Sequence, residues 1–100
     1  MRKFVQEEAS DTFTIGEIDE DAIYIIVGRH GTFKLQAVYD NNGNNIGYDW
    51  LALYNSNQHT IHPYNHPSIE QAILAAHKDA GYTIYELSSM RELGEYLCSL

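Results

Sequence analysis

Three histidines stand close together in one polar stretch of the chain, where their imidazole groups could bind a metal ion. They are His59, His62 and His66, and the stretch 55–67 also contains both prolines. Imidazole is a ligand for zinc, nickel and copper, so convergence of the three rings would create a metal site. Structural zinc usually takes four ligands, often thiolates, and the single cysteine, Cys98, is distant in sequence. The alternative is a polar loop whose histidines bond to the backbone or to water.

Carboxylates form a second cluster on a predicted turn, at positions Glu17, Asp19, Glu20 and Asp21. A solvated turn neither raises a carboxyl pKa nor excludes water, so general acid–base catalysis is not predicted there. These residues form either an ordinary solvated surface or a surface that docks on a groove lined by Arg and Lys. In the second case the carboxylates would mimic the phosphates of a nucleic acid.

Catalytic motifs are missing from the sequence. There is no G-x-S-x-G, no Walker loop, no C-x-x-C and no G-x-G-x-x-G. We therefore expect a protein that is not an enzyme and needs no cofactor.

Tyrosine and asparagine are frequent, with eight tyrosines in the chain. Tyrosine offers contact area at low entropic cost and asparagine offers hydrogen bonds, a combination typical of recognition surfaces. The alternative is that tyrosines fill a half-buried sheet and asparagines form turns. We expect Tyr64 to be exposed. Leu74 lies outside the apolar stripe of a predicted helix and projects to its polar side, either as a partner-binding anchor or as a lone exposed leucine.

The element that organises the chain is a helix followed by a strand, at positions 68–87. Ser68 is suited to the N-cap, Gln71 completes a capping box, and Gly81 is suited to the left-handed residue that ends the helix. One apolar stripe lies between them. It consists of Ile69, Ala72, Ile73, Ala76 and Ala80. Its small residues allow close approach to a sheet.

Alternating or apolar runs predict the strands, which cover 12–18, 22–28, 32–40, 48–54 and 82–87. The first four are predicted to form an antiparallel meander, and Ser89 with Glu92 opens a second helix. Gly94 in that helix would permit a close backbone approach. We therefore predict one α+β domain over 1–100, with the order β-β-β-β-α-β-α. Its antiparallel sheet has four to five strands, and two helices pack on one face.

Two of these strands are apolar on both sides, which a solvated antiparallel face should not be. Ile23 and Ile25 alternate with Tyr24 and Ile26 in one of them. The N-terminal segment, a curled sheet or another chain could cover the second face. We favour a second chain in a symmetric homodimer.

The formal charge of −8 disfavours direct binding to nucleic acid and suits a basic protein partner. Cys98 permits no intrachain disulfide, which fits a reducing compartment. No signal peptide and no apolar run of about 20 residues is present, so we expect a cytoplasmic protein without membrane contact.

The pattern S-I-E-Q-A-I-x-A-A-x-x-A-G-Y-x-I-Y-E-L at 68–87 resembles small uncharacterised phage and prophage proteins. Those proteins share short tyrosine-rich strands, a Ser-capped helix and a G-Y-x-I-Y strand. The resemblance implies a host-takeover or anti-defence factor that binds and blocks a bacterial protein.

The sequence therefore predicts a non-enzymatic, acidic protein-binding module, a phage-type inhibitor or modulator of a host or defence protein. Two alternatives stay open: a small-ligand or metal-binding protein that uses the histidines of 59–66, and a self-associating structural subunit.

Overall fold

The computed structural model describes residues 1–9, 12–29, 31–53, 65–79 and 81–99. The strands are β1 (Arg2–Lys3), β2 (Val5–Ala9), β3 (Thr12–Ile15), β4 (Ile23–Gly28), β5 (Gly31–Tyr39), β6 (Asn45–Ala52) and β7 (Thr83–Leu87). Helix α1 (Ile69–Leu74) continues into a π-helical segment (Ala75–Asp79), and α2 (Met90–Cys98) follows β7. The α+β class and the predicted order from β3 onward are confirmed.

The main sheet has five antiparallel strands in the order β1-β7-β4-β5-β6. The meander comprises β4, β5 and β6, and the prediction that β3 belongs to it is wrong. β5 and β7 occupy the two edges of β4, so β3 has no edge of β4 to join. β3 instead pairs with β2 in a separate two-stranded ribbon.

One face of the sheet, which we name the α1 face, carries the larger core. Tyr24, Ile26, Phe33, Trp50 and Ile84 point into it from four strands and are buried. The predicted stripe of α1 covers them, and its Ala72 and Ile73 are fully buried. The Trp50 indole N–H donates to the Ala72 carbonyl at 3.3 Å, which ties the helix to β6.

The opposite face, the α2 face, is covered over β4 and β7 by α2. Leu93 packs there with Ile25 and Leu87, and Tyr96 and Leu97 lie at the margin. The prediction that both helices pack on one face is therefore wrong. The physical reason is that β4 is apolar on both sides, so each side needs a cover. α2 begins only two residues after β7 and supplies the second cover.

Local signals at the helix ends agree with the sequence. Ser68 accepts a hydrogen bond from the Gln71 N–H at 3.1 Å, and Ser89 accepts one from the Glu92 N–H at 3.3 Å. Gly81 adopts φ +72°, the left-handed conformation that ends the first helical segment. Gly94 is exposed with open space around it, so the predicted close approach at Gly94 is wrong.

Across the described ranges, no helix is long and apolar enough to cross a membrane.

Candidate functional site

The acidic turn lies between β3 and β4 and is attached to the sheet by a buried hydroxyl. The Asp19 N–H donates to the Tyr24 hydroxyl oxygen at 2.9 Å. The same hydroxyl donates to Glu86 Oε2 at 2.9 Å. Within the turn, the Asp21 N–H donates to Asp19 Oδ1 at 2.9 Å. The turn backbone is therefore held in one position relative to β4 and β7.

Tyr24 suits this role because its side chain is buried while its hydroxyl reaches the sheet margin. Burial raises the pKa of Tyr24 to about 12, and the neighbouring Glu86 carboxylate acts in the same direction. The hydrogen bond from the Asp19 N–H opposes the rise in this pKa. The hydroxyl therefore keeps its proton at neutral pH and remains a donor to Glu86.

Glu86 is bound on its other side by a basic residue from the sheet edge. Arg2 lies directly opposite Glu86 in the β1–β7 pair, and its Nη2 donates to Glu86 Oε1 at 2.5 Å. The Arg2 side chain is 65% exposed, whereas the Glu86 side chain is 16% exposed. Arg2 thus neutralises the Glu86 carboxylate. Among the described residues, no cation forms an ion pair with the four carboxylates of the turn.

Two adjoining open depressions border this network. The larger, about 640 Å³, is lined by Arg2, Glu17, Ile18, Asp19, Glu20, Asp21 and Glu86. The smaller, about 320 Å³, shares four of these residues and extends to Ser88 and Glu92. The structure therefore brings together the four carboxylates that the sequence singled out. All four residues of that set are exposed.

Strand direction gathers further acidic residues at the same end of the sheet. The antiparallel pairing places the start of β4 beside the end of β7, and β5 runs toward the same end of the sheet. The turn after β5 begins with Asp40, and α2 begins just after β7. We name this region the acidic end; it comprises Glu17, Asp19, Glu20, Asp21, Asp40, Glu86 and Glu92. At the opposite end lie Arg29, after β4, and Lys78, in the π-helical segment that leads toward β7.

The chemistry that this arrangement allows is the attraction of cationic groups. The four carboxylates of the acidic turn are open to water, which does not favour general acid–base catalysis. No group of three or more His, Cys, Asp or Glu side chains in the described part of the chain is placed to hold a metal ion.

The remaining predicted site residues lie elsewhere. His59, His62 and Tyr64 fall outside the described residues. His66 pairs with Tyr48 of β6 through two backbone hydrogen bonds of 2.8 Å. β6 is the edge strand opposite β1 and β7, so His66 lies away from the strands that hold the acidic turn. Leu74 is half-buried at the end of α1. The structure does not bring His66 or Leu74 to the acidic turn.

Sequence reasoning missed Arg2, Tyr24 and Glu86, which hold the turn in place. Tyr24 and Glu86 are 62 positions apart, and no local pattern relates them. The available signal was the apolar character of β4 on both faces, which requires one tyrosine to point into the core.

Comparison with family models, with curated proteins and with solved structures finds no match to this chain.

Proposed function

We propose that this protein is a non-enzymatic binding module whose acidic end docks on a basic surface of a protein partner. The observation that carries the proposal is the acidic turn, whose four exposed carboxylates are fixed in place by the Tyr24 hydroxyl. A fixed array of like charges attracts a cationic surface at lower entropic cost than a freely moving one. Nucleic-acid mimicry is one form of this docking, because carboxylates and phosphates attract the same Arg and Lys side chains.

The partner class follows from the resemblance of 68–87 to phage and prophage proteins. On that basis we propose that the chain inhibits or modulates a host or defence protein in the bacterial cytoplasm. The formal charge of −8 supports electrostatic steering toward a basic partner.

The test is capture from bacterial lysate across a salt series, with two variants of equal charge change. Glu20→Lys alters the acidic turn, whereas Glu95→Lys alters an exposed residue on α2, paired with Arg91, that lines neither depression. We expect capture to weaken with salt and with Glu20→Lys, and to change little with Glu95→Lys. Equal effects of the two variants would show that only net charge matters. Absence of any salt-sensitive partner would count against the proposal.

We also propose a symmetric homodimer, now through a smaller surface than the sequence indicated. α2 covers the β4–β7 part of its face, and on β6 of the same face Leu51 remains 42% exposed. Light scattering at high protein concentration tests this, with Leu51→Glu as the disrupting variant. A wild-type monomer under those conditions would remove the homodimer and leave the acidic docking proposal untouched.

A further inference from the structure

The turn between β5 and β6 carries the Asn–Gly dipeptide of this sequence, Asn42–Gly43. Both residues are exposed, and Gly43 adopts φ +80°. A Cβ atom built on Gly43 would meet nothing within 4 Å. Residue 43 therefore carries no side chain, and no residue beyond its two chain neighbours crowds the space beside its α-carbon.

An asparagine followed by glycine can modify itself. The backbone nitrogen of the glycine attacks the side-chain carbonyl carbon of the asparagine, and a new C–N bond closes a five-membered succinimide ring. The bond from that carbon to the side-chain nitrogen breaks, and ammonia leaves with the proton that the backbone nitrogen gives up. Water then opens the ring at either carbonyl, which yields aspartate or isoaspartate. Water is the one co-reactant, and no oxidant or reductant is needed.

The Asn42 side chain is available for this reaction. Its amide makes no hydrogen bond to any residue that the structure describes, whereas its backbone N–H donates to Asp40 Oδ1 at 2.8 Å. The side-chain carbonyl of Asn42, which is the electrophile, is thus not held by a hydrogen bond to the described residues. The hydrogen bond to Asp40 restrains the backbone of the turn instead.

Asp40 supplies that restraint. Its carboxylate accepts hydrogen bonds from the Asn42 N–H and, at 2.9 Å, from the Asn44 N–H. Its backbone carbonyl accepts the Gly43 N–H at 3.1 Å, and this is the nitrogen that must attack. The hydrogen bond from the Asn44 N–H is the main reason why the pKa of Asp40 lies below its usual value, so the carboxylate stays charged and continues to accept these bonds. Ring closure requires the backbone of Asn42 and Gly43 to leave this arrangement.

We propose that Asn42 is a site of spontaneous isoaspartate formation and that the Asp40 carboxylate sets its rate. Isoaspartate inserts one extra backbone carbon next to Gly43 and adds a negative charge beside Asp40. Both changes fall at the acidic end, next to the register shift where Val38 pairs with Gly47 and Tyr39 with Asn45. The proposal does not depend on the proposed function.

The experiment compares isoaspartate formation at position 42 in three samples of the full chain, incubated at mildly alkaline pH and analysed by peptide mapping. The samples are the folded wild type, the folded Asp40→Ala variant and the wild type in concentrated urea. Circular dichroism checks that the variant is folded, and Asn42→Gln is the negative control.

We expect the urea sample to react fastest and Asp40→Ala to react roughly fivefold faster than the folded wild type, the factor associated with one net hydrogen bond. If Asp40→Ala proves not to fold, the ratio between the folded and urea-treated wild type still tests whether the turn restrains the reaction. Equal rates in folded wild type and urea would overturn the proposal. Equal rates in folded wild type and folded Asp40→Ala would overturn it as well, as would the absence of isoaspartate at position 42 in every sample.

Discussion

The two faces of β4 are both apolar, yet the structures built on them differ in size. The α1 face joins Tyr24 and Ile26 to a core that includes residues of β2, β5, β6, β7, α1 and the π-helical segment, among them the fully buried Ile73. The α2 face joins Ile25 to a cluster whose other buried members are Leu87 and Leu93. Because stability follows the apolar area removed from water, the α1 face determines whether the sheet folds. α2 buries a smaller apolar cluster, and we expect it to unfold locally while the rest of the sheet stays folded.

The largest effect is expected on the α1 face. Ile73→Ala removes a fully buried side chain where α1 meets the sheet. We expect it to lower the free energy of unfolding by about 3 kcal/mol, measured by urea denaturation. All structural probes should report one transition. A loss below that of the matched α2 variant, Leu93→Ala, would reverse the ranking of the two faces.

Leu93→Ala tests the smaller cover. Leu93 is buried on α2, but it contacts a cluster at the margin of the fold. We expect a loss of about 2 kcal/mol. Amide hydrogen exchange should accelerate in α2 more than in β4 and β5. Uniform acceleration across the sheet would mean that α2 and the sheet unfold as one unit.

Two glycine substitutions contrast the faces directly. A Cβ on Gly28 would lie 2.3 Å from the Tyr82 ring, on the α1 face, whereas Gly94 in α2 has nothing within 4 Å. We expect Gly28→Ala to destabilise the protein by about 2 kcal/mol through overpacking. Gly94→Ala should stabilise it by about 0.5 kcal/mol because alanine favours the helix. Thermal denaturation of both variants checks the opposite signs. Two changes of the same sign would contradict the packing described for one of the faces.

The smallest loss of stability is expected at the hydroxyl that links the α1 face to the acidic turn. Tyr24→Phe keeps the ring and removes the bonds to Asp19 and Glu86, at a cost of about 1 kcal/mol. The pKa of Tyr24 is raised to about 12 in the folded state from 10.0, so its contribution to stability is complete below pH 10. That contribution is lost as pH rises toward 12.

Urea denaturation of wild type and Tyr24→Phe at several pH values between 8 and about 12 gives the free energy of unfolding of each. Subtracting one value from the other cancels the contribution of the other tyrosines, which titrate in both proteins. The difference in unfolding free energy should shrink above pH 10. A difference that stays constant would show that folding does not raise the pKa of Tyr24.

Much of the secondary structure could be predicted because its signals are local. Ser68, Gly81 and the Ala72–Ile73 stripe specify the first helix within a few residues of one another, and Ser89 with Glu92 specifies the start of the second. The strands follow from alternation and turn residues. The acidic turn, as a cluster, was likewise visible in the sequence.

The placement of α2 could not be predicted in the same way. The apolar residues of β4 show that both faces need a cover, but they do not say which element supplies it. The need for glycine at position 28 could not be predicted either, because it depends on the ring of Tyr82, the residue that precedes β7. For the same reason the sequence showed the carboxylates of the candidate site but not the Arg2, Tyr24 and Glu86 network that positions them.

The pairing of β1 with β7 has a consequence for how this chain is made. Arg2 and Glu86, which bind each other, are 84 positions apart, and the Phe4 N–H donates to the Ile84 carbonyl at 2.8 Å. During synthesis on the ribosome, the edge of β4 that pairs with β7 stays unpaired until β7 emerges, and β1 also stays unpaired until then. A nascent chain stalled before β7 has emerged would expose that edge to other chains, so aggregation during translation should depend on how quickly β7 follows β4.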